Sequence, residues 1–82
     1  MAKVVLRCFA GAREASGCSS DSFVAASVHE VLELAAQRYG IEWQHVLATS
    51  RVWLNGDEPQ SGPETVLRDG DEVAVLPPVS GG

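Results

Sequence analysis

A chain of 82 residues has room for one domain and one modest core, which buries about 60–65% of the surface the unfolded chain exposes. Six Lys and Arg against eleven Asp and Glu give a net charge of −5, which excludes nucleic acid as a partner and fits docking on a basic protein surface. No apolar run reaches the length of a membrane span, and Lys3 and Arg7 interrupt the N-terminal apolar stretch, so neither a leader nor a membrane partner is expected and the location is read as cytoplasmic.

Lys3 to Phe9 alternate as a strand, with Val4, Leu6 and Cys8 on one face and Val5, Arg7 and Phe9 on the other. Ala10 to Ser20, with two glycines and three serines, read as a loop. Asp21 to Ala26 form a second strand, paired in a hairpin with the first. Ser27 opens a helix: Ser27 and Glu30 have capping-box spacing, and Val28, Val31, Leu32, Ala35 and Tyr39 recur on one face. Arg38 suits its last turn and Gly40 a left-handed C-cap. Ile41 to Ser50, with Trp43, His45, Val46 and Leu47, read as a connector with a short turn over the core edge. Arg51 to Leu54 form a strand closed by the turn dipeptide Asn55-Gly56. Asp57 to Pro63 are irregular, at most a stub of edge strand given Pro59 and Gly62. Glu64 to Leu67 fit one helical turn, Arg68-Asp69-Gly70-Asp71 a tight turn, and Glu72 to Leu76 the last strand. Pro77 and Pro78 cannot donate to a ladder and end the sheet. This order predicts an α+β fold: a mixed sheet, one main helix packed on one face, and the first and last strands side by side in the middle. The folded domain spans 1–76, and 77–82 form an extended tail.

The reactive side chains are few. Cys8 reads as a small buried hydrophobe and Cys18 as an exposed loop thiol; neither belongs to a CxxC motif. His29 and His45 are not spaced as a metal pair, so no metal site is assigned. The acidic pairs Asp57-Glu58 and Asp71-Glu72 fall at turns, where aspartate serves the backbone, and are read as solvated.

The chemistry points to the end of the sequence, Pro77-Pro78-Val79-Ser80-Gly81-Gly82. A diglycine at a free C-terminus makes the Gly82 carboxylate the expected working group. A carboxylate is a poor electrophile until an ATP-using enzyme converts it to an acyl-adenylate. That enzyme must thread the tail to its nucleotide, and Gly81 and Gly82 have no Cβ to obstruct a narrow channel. Pro77 and Pro78 lower the entropy lost when the tail is ordered, and Val79 and Ser80 are passive channel residues. Extended, these six residues reach about 20 Å.

The element order and the diglycine resemble the ubiquitin-like β-grasp sulfur carriers, and most of all the molybdopterin synthase small-subunit side of the MoaD/ThiS family. The resemblance rests on Phe9-Ala10 with Arg13-Glu14 after the first strand, on Asn55-Gly56, and on Leu67 followed by Asp69-Gly70-Asp71-Glu72-Val73 leading into Pro77-Pro78-Val79-Ser80-Gly81-Gly82. It covers essentially the whole chain. It implies a β-grasp fold, and a Gly82 that is adenylated at the expense of ATP and then converted to a thiocarboxylate. The implied partners are an adenylating, E1-like enzyme, a sulfur-donating enzyme, and the large subunit of molybdopterin synthase. The large subunit supplies the pocket and the acid–base groups; the small chain supplies the sulfur nucleophile and binds no cofactor itself. The chain departs from this pattern after Asn55-Gly56, where relatives often carry an apolar partner contact and this sequence has Asp57-Glu58-Pro59. Trp53 takes over that contact in this reading.

In a β-grasp sheet, Phe9, Trp53 and Leu76 fall on neighbouring strands on the face away from the helix. They are expected to form one apolar docking patch flanked by Arg7 and Arg51. Three functions remain open: a sulfur carrier for molybdopterin (or for thiamine or cysteine), a ubiquitin-like modifier joined through Gly82 to lysines of other proteins, and an interaction module with an inert tail.

Overall fold

A computed structural model describes residues 1–78. Val79, Ser80, Gly81 and Gly82, which the sequence assigns to tail threading and to the working carboxylate, lie outside the described residues. The elements run β1 (Ala2–Cys8), α1 (Ala10–Ser16), β2 (Ser20–Ala25), α2 (Val28–Tyr39), α3 (Ile41–Ala48), β3 (Arg51–Leu54), a 3-10 turn (Gly62–Glu64) and β4 (Glu72–Leu76). The sheet order is β2-β1-β4-β3, with β1 and β4 parallel at the centre and both outer pairs antiparallel. This is the mixed-sheet β-grasp arrangement expected above.

The alternation in β1 sets the layers. Val4, Leu6 and Cys8 are at most 2% exposed and face the helices, together with Phe23 and Ala25 of β2 and Val73 and Val75 of β4. Val28, Val31 and Ala35 of α2 close the core from the other side. The Ser27 cap forms, its hydroxyl accepting from the Glu30 amide at 3.2 Å, and the Glu30 carboxylate reaches back one residue past the N-cap, accepting from the Ala26 amide at 2.7 Å. The Asn55-Gly56 turn forms as well, with φ of 52° and 87° and reciprocal backbone bonds between Leu54 and Asp57. Those bonds supply the stub of edge pairing expected after β3.

Several expectations need correction. The segment read as a loop contains α1. Ala10, Ala12 and Ala15 favour helix, Ala12 is fully buried, and Gly17, at φ 80°, caps the helix by donating to the Arg13 carbonyl. Seven residues are too few to display an amphipathic period, and the flanking glycines and serines masked it. The Ile41–Ser50 connector is largely helix α3, which packs on α1 and α2 and carries the fully buried Trp43. Ile41 is 61% exposed, so its apolar residues do not all share one face and the helical signal is blurred. The single main helix thus has two companions. Gly40 has positive φ but an extended ψ of −168°, so it is not a left-handed cap; it turns the chain directly from α2 into α3. The helical turn read at Glu64–Leu67 is the 3-10 turn two residues earlier, with Pro63 inside it and Leu67 left free to enter the core. β1 and β2 each end one residue earlier than expected, at Cys8 and Ala25.

Candidate docking face and tail root

Residues that point away from the helices make the outer face of the sheet. Trp53 pairs with Ala74 across β3 and β4, and Arg51 pairs with Leu76. On the other side of β4, Arg7 pairs with Ala74 and Cys8 with Val75, so Phe9 continues the register to a position beside Leu76. The Phe9 amide donates to the Val75 carbonyl at 3.3 Å and holds it there. The sheet therefore brings together Phe9, Trp53 and Leu76, which are 44 and 23 residues apart in sequence. Phe9 is 39% exposed, while Trp53 and Leu76 are half-buried; none of the three belongs to the core cluster. The patch is thus less open than expected, because neighbouring side chains shield two of its members.

Charged groups frame the apolar centre. The Arg7 guanidinium lies 5.6 Å from the Phe9 ring centroid and 3.5 Å from a Glu72 carboxylate oxygen. The first contact is a cation–π pair; the second is an exposed ion pair of small energetic weight. Arg51, beside Leu76, is exposed and has no ion-pair partner among the described residues.

The tail leaves from this same end. Pro77 and Pro78 follow β4 directly and form one wall of a shallow groove between α1 and α3, with Ala10, Glu14, His45 and Val46 opposite. His45 thus lies beside the root of the tail, which its position in a presumed connector did not foretell. His29 is an exposed partner of Glu33 at 3.1 Å. Among the described residues no cluster of three or more His, Cys, Asp or Glu side chains has the geometry to hold a metal ion, and no helix is long and apolar enough to cross a membrane.

The ThiS family matches residues 6–82, a span that runs from β1 through this end of the molecule. The chain belongs to the ThiS family. Its similarity reaches a molybdopterin synthase sulfur carrier subunit of Anopheles gambiae, 35% identical, with 98% of this chain and 92% of the relative covered. Among solved structures it is similar to small archaeal modifier protein 1 of Methanosarcina acetivorans, with a TM-score of 0.89, 31% identity, and 100% of this chain and 98% of that one covered. It also resembles a chain in the complex of subunits 1 and 2 of the molybdopterin-converting factor of Helicobacter pylori, with a TM-score of 0.75, 25% identity and coverage of 98% and 99%.

A polar cluster in this ThiS-family chain has no counterpart in the sequence reading. Tyr39 donates to Asp21 at 2.7 Å, Arg38 donates to the same carboxylate oxygen at 2.9 Å, and the Cys18 sulfur lies 3.5 Å from the Tyr39 hydroxyl. Hydrogen bonds from Tyr39 and then Arg38 hold Asp21 below the usual carboxylate range. Burial, followed by the bonds to Cys18 and Asp21, pushes Tyr39 well up. Cys18 is therefore half-buried and engaged, not the open loop thiol expected. Cys8 is buried as expected, and burial pushes its thiol up, which keeps it inert. The cluster ties α2 to the edge strand β2. No sequence period marks it, because its members are contributed by a loop, a strand and a helix. Asp71 likewise serves its turn: Asn55 and the Arg68 amide donate to it and hold its carboxyl low.

Proposed function

We propose that this chain is a sulfur carrier, the small subunit of a molybdopterin synthase, and that it donates sulfur from a thiocarboxylate at Gly82. The observation that carries this reading is the extent of the family match, which runs from the first strand through the Pro-Pro stalk to Gly82. The name of the Anopheles gambiae relative and the two-subunit Helicobacter pylori complex support it.

In this mechanism the Gly82 carboxylate oxygen attacks the α-phosphorus of ATP in an adenylating enzyme, and pyrophosphate leaves. The acyl carbon then accepts sulfur supplied by a sulfur-donating enzyme, and AMP leaves. The thiocarboxylate enters the large subunit of the synthase, where its sulfur is the nucleophile, and two rounds build a dithiolene. This chain is not catalytic alone. Its folded body docks through Phe9, Trp53 and Leu76, and Pro77 and Pro78 aim a tail of about 20 Å into the partner's channel. Gly81 and Gly82, without a Cβ, suit a narrow channel, and Val79 and Ser80 are passive in it.

Incubating the chain with its adenylating enzyme, ATP and a sulfur source, and then measuring intact mass, tests the reading. The expected product is heavier by the difference between one sulfur and one oxygen. An unchanged mass with an enzyme proven active on its own carrier overturns it.

The similarity to small archaeal modifier protein 1 favours a second reading, in which Gly82 is joined to lysines of other proteins. Gly82–lysine isopeptides in the proteome of the host support that reading; their absence alongside a thiocarboxylate supports the first.

A further inference from the structure

Net charge and local charge disagree on this molecule. The whole chain is acidic, at −5, and so fits a basic partner surface. On the outer face of the sheet the balance reverses. The strand positions that point away from the helices hold Lys3, Arg7 and Arg51 but only one acid, Glu72. Three of the six cations thus occupy outward strand positions that hold one of the eleven acidic residues, and Asp69, in the turn before β4, adds a carboxylate at the Lys3 end, where it accepts from the Lys3 amide at 2.8 Å.

The three cations are not equivalent. Arg7 is already engaged by Glu72 and by the Phe9 ring. Lys3 sits at the far end of the face: β1 meets the start of β4 only at Val5, whereas Leu76, beside Arg51, is level with Phe9. Those six residue steps between Lys3 and Phe9 place Lys3 about 20 Å from the tail end, at about 3.3 Å per residue. Arg51 is exposed, has no ion pair among the described residues, and borders both Leu76 and the exit of the tail. A guanidinium pairs with a carboxylate through two parallel hydrogen bonds, so its best protein partner is an Asp or Glu fixed in that geometry.

We infer that Arg51 is a specificity-determining contact: the adenylating enzyme presents an apolar socket for Phe9, Trp53 and Leu76 with a carboxylate on its rim that pairs with Arg51. The inference rests on the sulfur-carrier reading above and adds the chemistry of the partner's surface to it. The occupant is a protein socket because the cations flank an apolar centre. The acidic remainder of the chain repels a partner whose carboxylates are spread widely, so the pairing also fixes the orientation in which the tail enters the channel.

The test is ATP–pyrophosphate exchange by the cognate adenylating enzyme, with the chain as the varied substrate. Arg51→Glu is expected to raise the KM for the chain roughly tenfold or more, the penalty of facing like charges, with kcat unchanged. Arg51→Gln is expected to raise it about threefold, and raising ionic strength toward 1 M, where the screening length is about 3 Å, should shrink the difference between Arg51→Gln and the parent chain. Lys3→Glu makes the same charge change on the same face at its far end, and its expected effect is under about twofold. Circular dichroism confirms that each variant is folded. If Arg51→Glu and Arg51→Gln both match the parent chain, or if Lys3→Glu equals Arg51→Glu, the inference is overturned and the sulfur-carrier reading stands. If the parent chain supports no exchange at all, both fall together.

Discussion

Along β1, Val4, Leu6 and Cys8 are at most 2% exposed, whereas Val5 is 36% exposed and Phe9, one residue past the strand, 39%. β4 repeats the pattern: Val73 and Val75 are fully buried, while Ala74 and Leu76 between and beyond them are half-buried. One residue of register separates side chains that hold the fold from side chains available to a partner. The inner face gains its energy from contacts with three helices. The outer face has no such cover and is left with a small apolar area beside the tail root, framed by Arg7 and Arg51. Stability and the proposed docking are therefore open to separate alteration on the same strand.

The largest expected effect combines complete loss of function with no loss of structure. Deleting Gly82, or extending the chain beyond it, should abolish thiocarboxylate formation and leave the circular dichroism spectrum and the melting temperature unchanged. Gly82 lies six positions beyond the end of β4 at Leu76, and chain ends seldom carry the core. A clear fall in melting temperature would place the tail among the structural elements and dissolve the contrast.

Leu6→Ala is the inner-face counterpart. Leu6 is fully buried, and its truncation should cost about 2–5 kcal/mol of unfolding free energy in a denaturant titration. Partner affinity per folded molecule should not change. A loss of less than about 1 kcal/mol would mean that the helices do not press on β1 as described.

Phe9→Ala and Leu76→Ala probe the outer face. Each should weaken binding to the adenylating enzyme by about 2 kcal/mol, in the range of an interface anchor. Each should cost less than a core truncation in stability, since neither residue belongs to the core cluster. Paired calorimetric binding and denaturation separate the two effects. Core-sized destabilisation with intact binding would reverse the assignment of the faces. Trp53→Ala sharpens the case, because Trp53 pairs with Ala74 across β3 and β4, and its truncation should weaken binding in the same direction.

Ser27→Ala lies away from both faces and should cost about 1 kcal/mol through the lost cap, with binding untouched. The smallest effect is one of pH. Hydrogen bonds from Tyr39 and Arg38 depress the folded-state value of Asp21. Its contribution is therefore complete above the unfolded aspartate value of about 3.9 and is lost as pH falls through the lower folded value. Asp21→Asn should flatten the acid limb of the stability profile and lower stability at neutral pH by what the Tyr39 hydrogen bond and the Arg38 pair contribute. An unchanged acid limb would show that the Asp21 tie is not populated in solution.

Local chemistry was enough to read much of this molecule from its residues. The alternation of β1 and β4, the Ser27–Glu30 cap, the Asn55-Gly56 hairpin turn and the stop at Pro77-Pro78 each depend on residues within a few positions of one another. What the sequence left undecided depends on contacts far apart along the chain. Helix α1 has seven residues and α3 eight, too short to be stable alone, and they form because Ala12 and Trp43 are buried against the sheet and against each other's helices. The Cys18–Tyr39–Asp21 cluster joins three elements with no shared period. Arg51 lies beside Leu76 only because β3 pairs antiparallel with β4 in one particular register, which hydrogen bonds across the sheet decide and the local sequence does not.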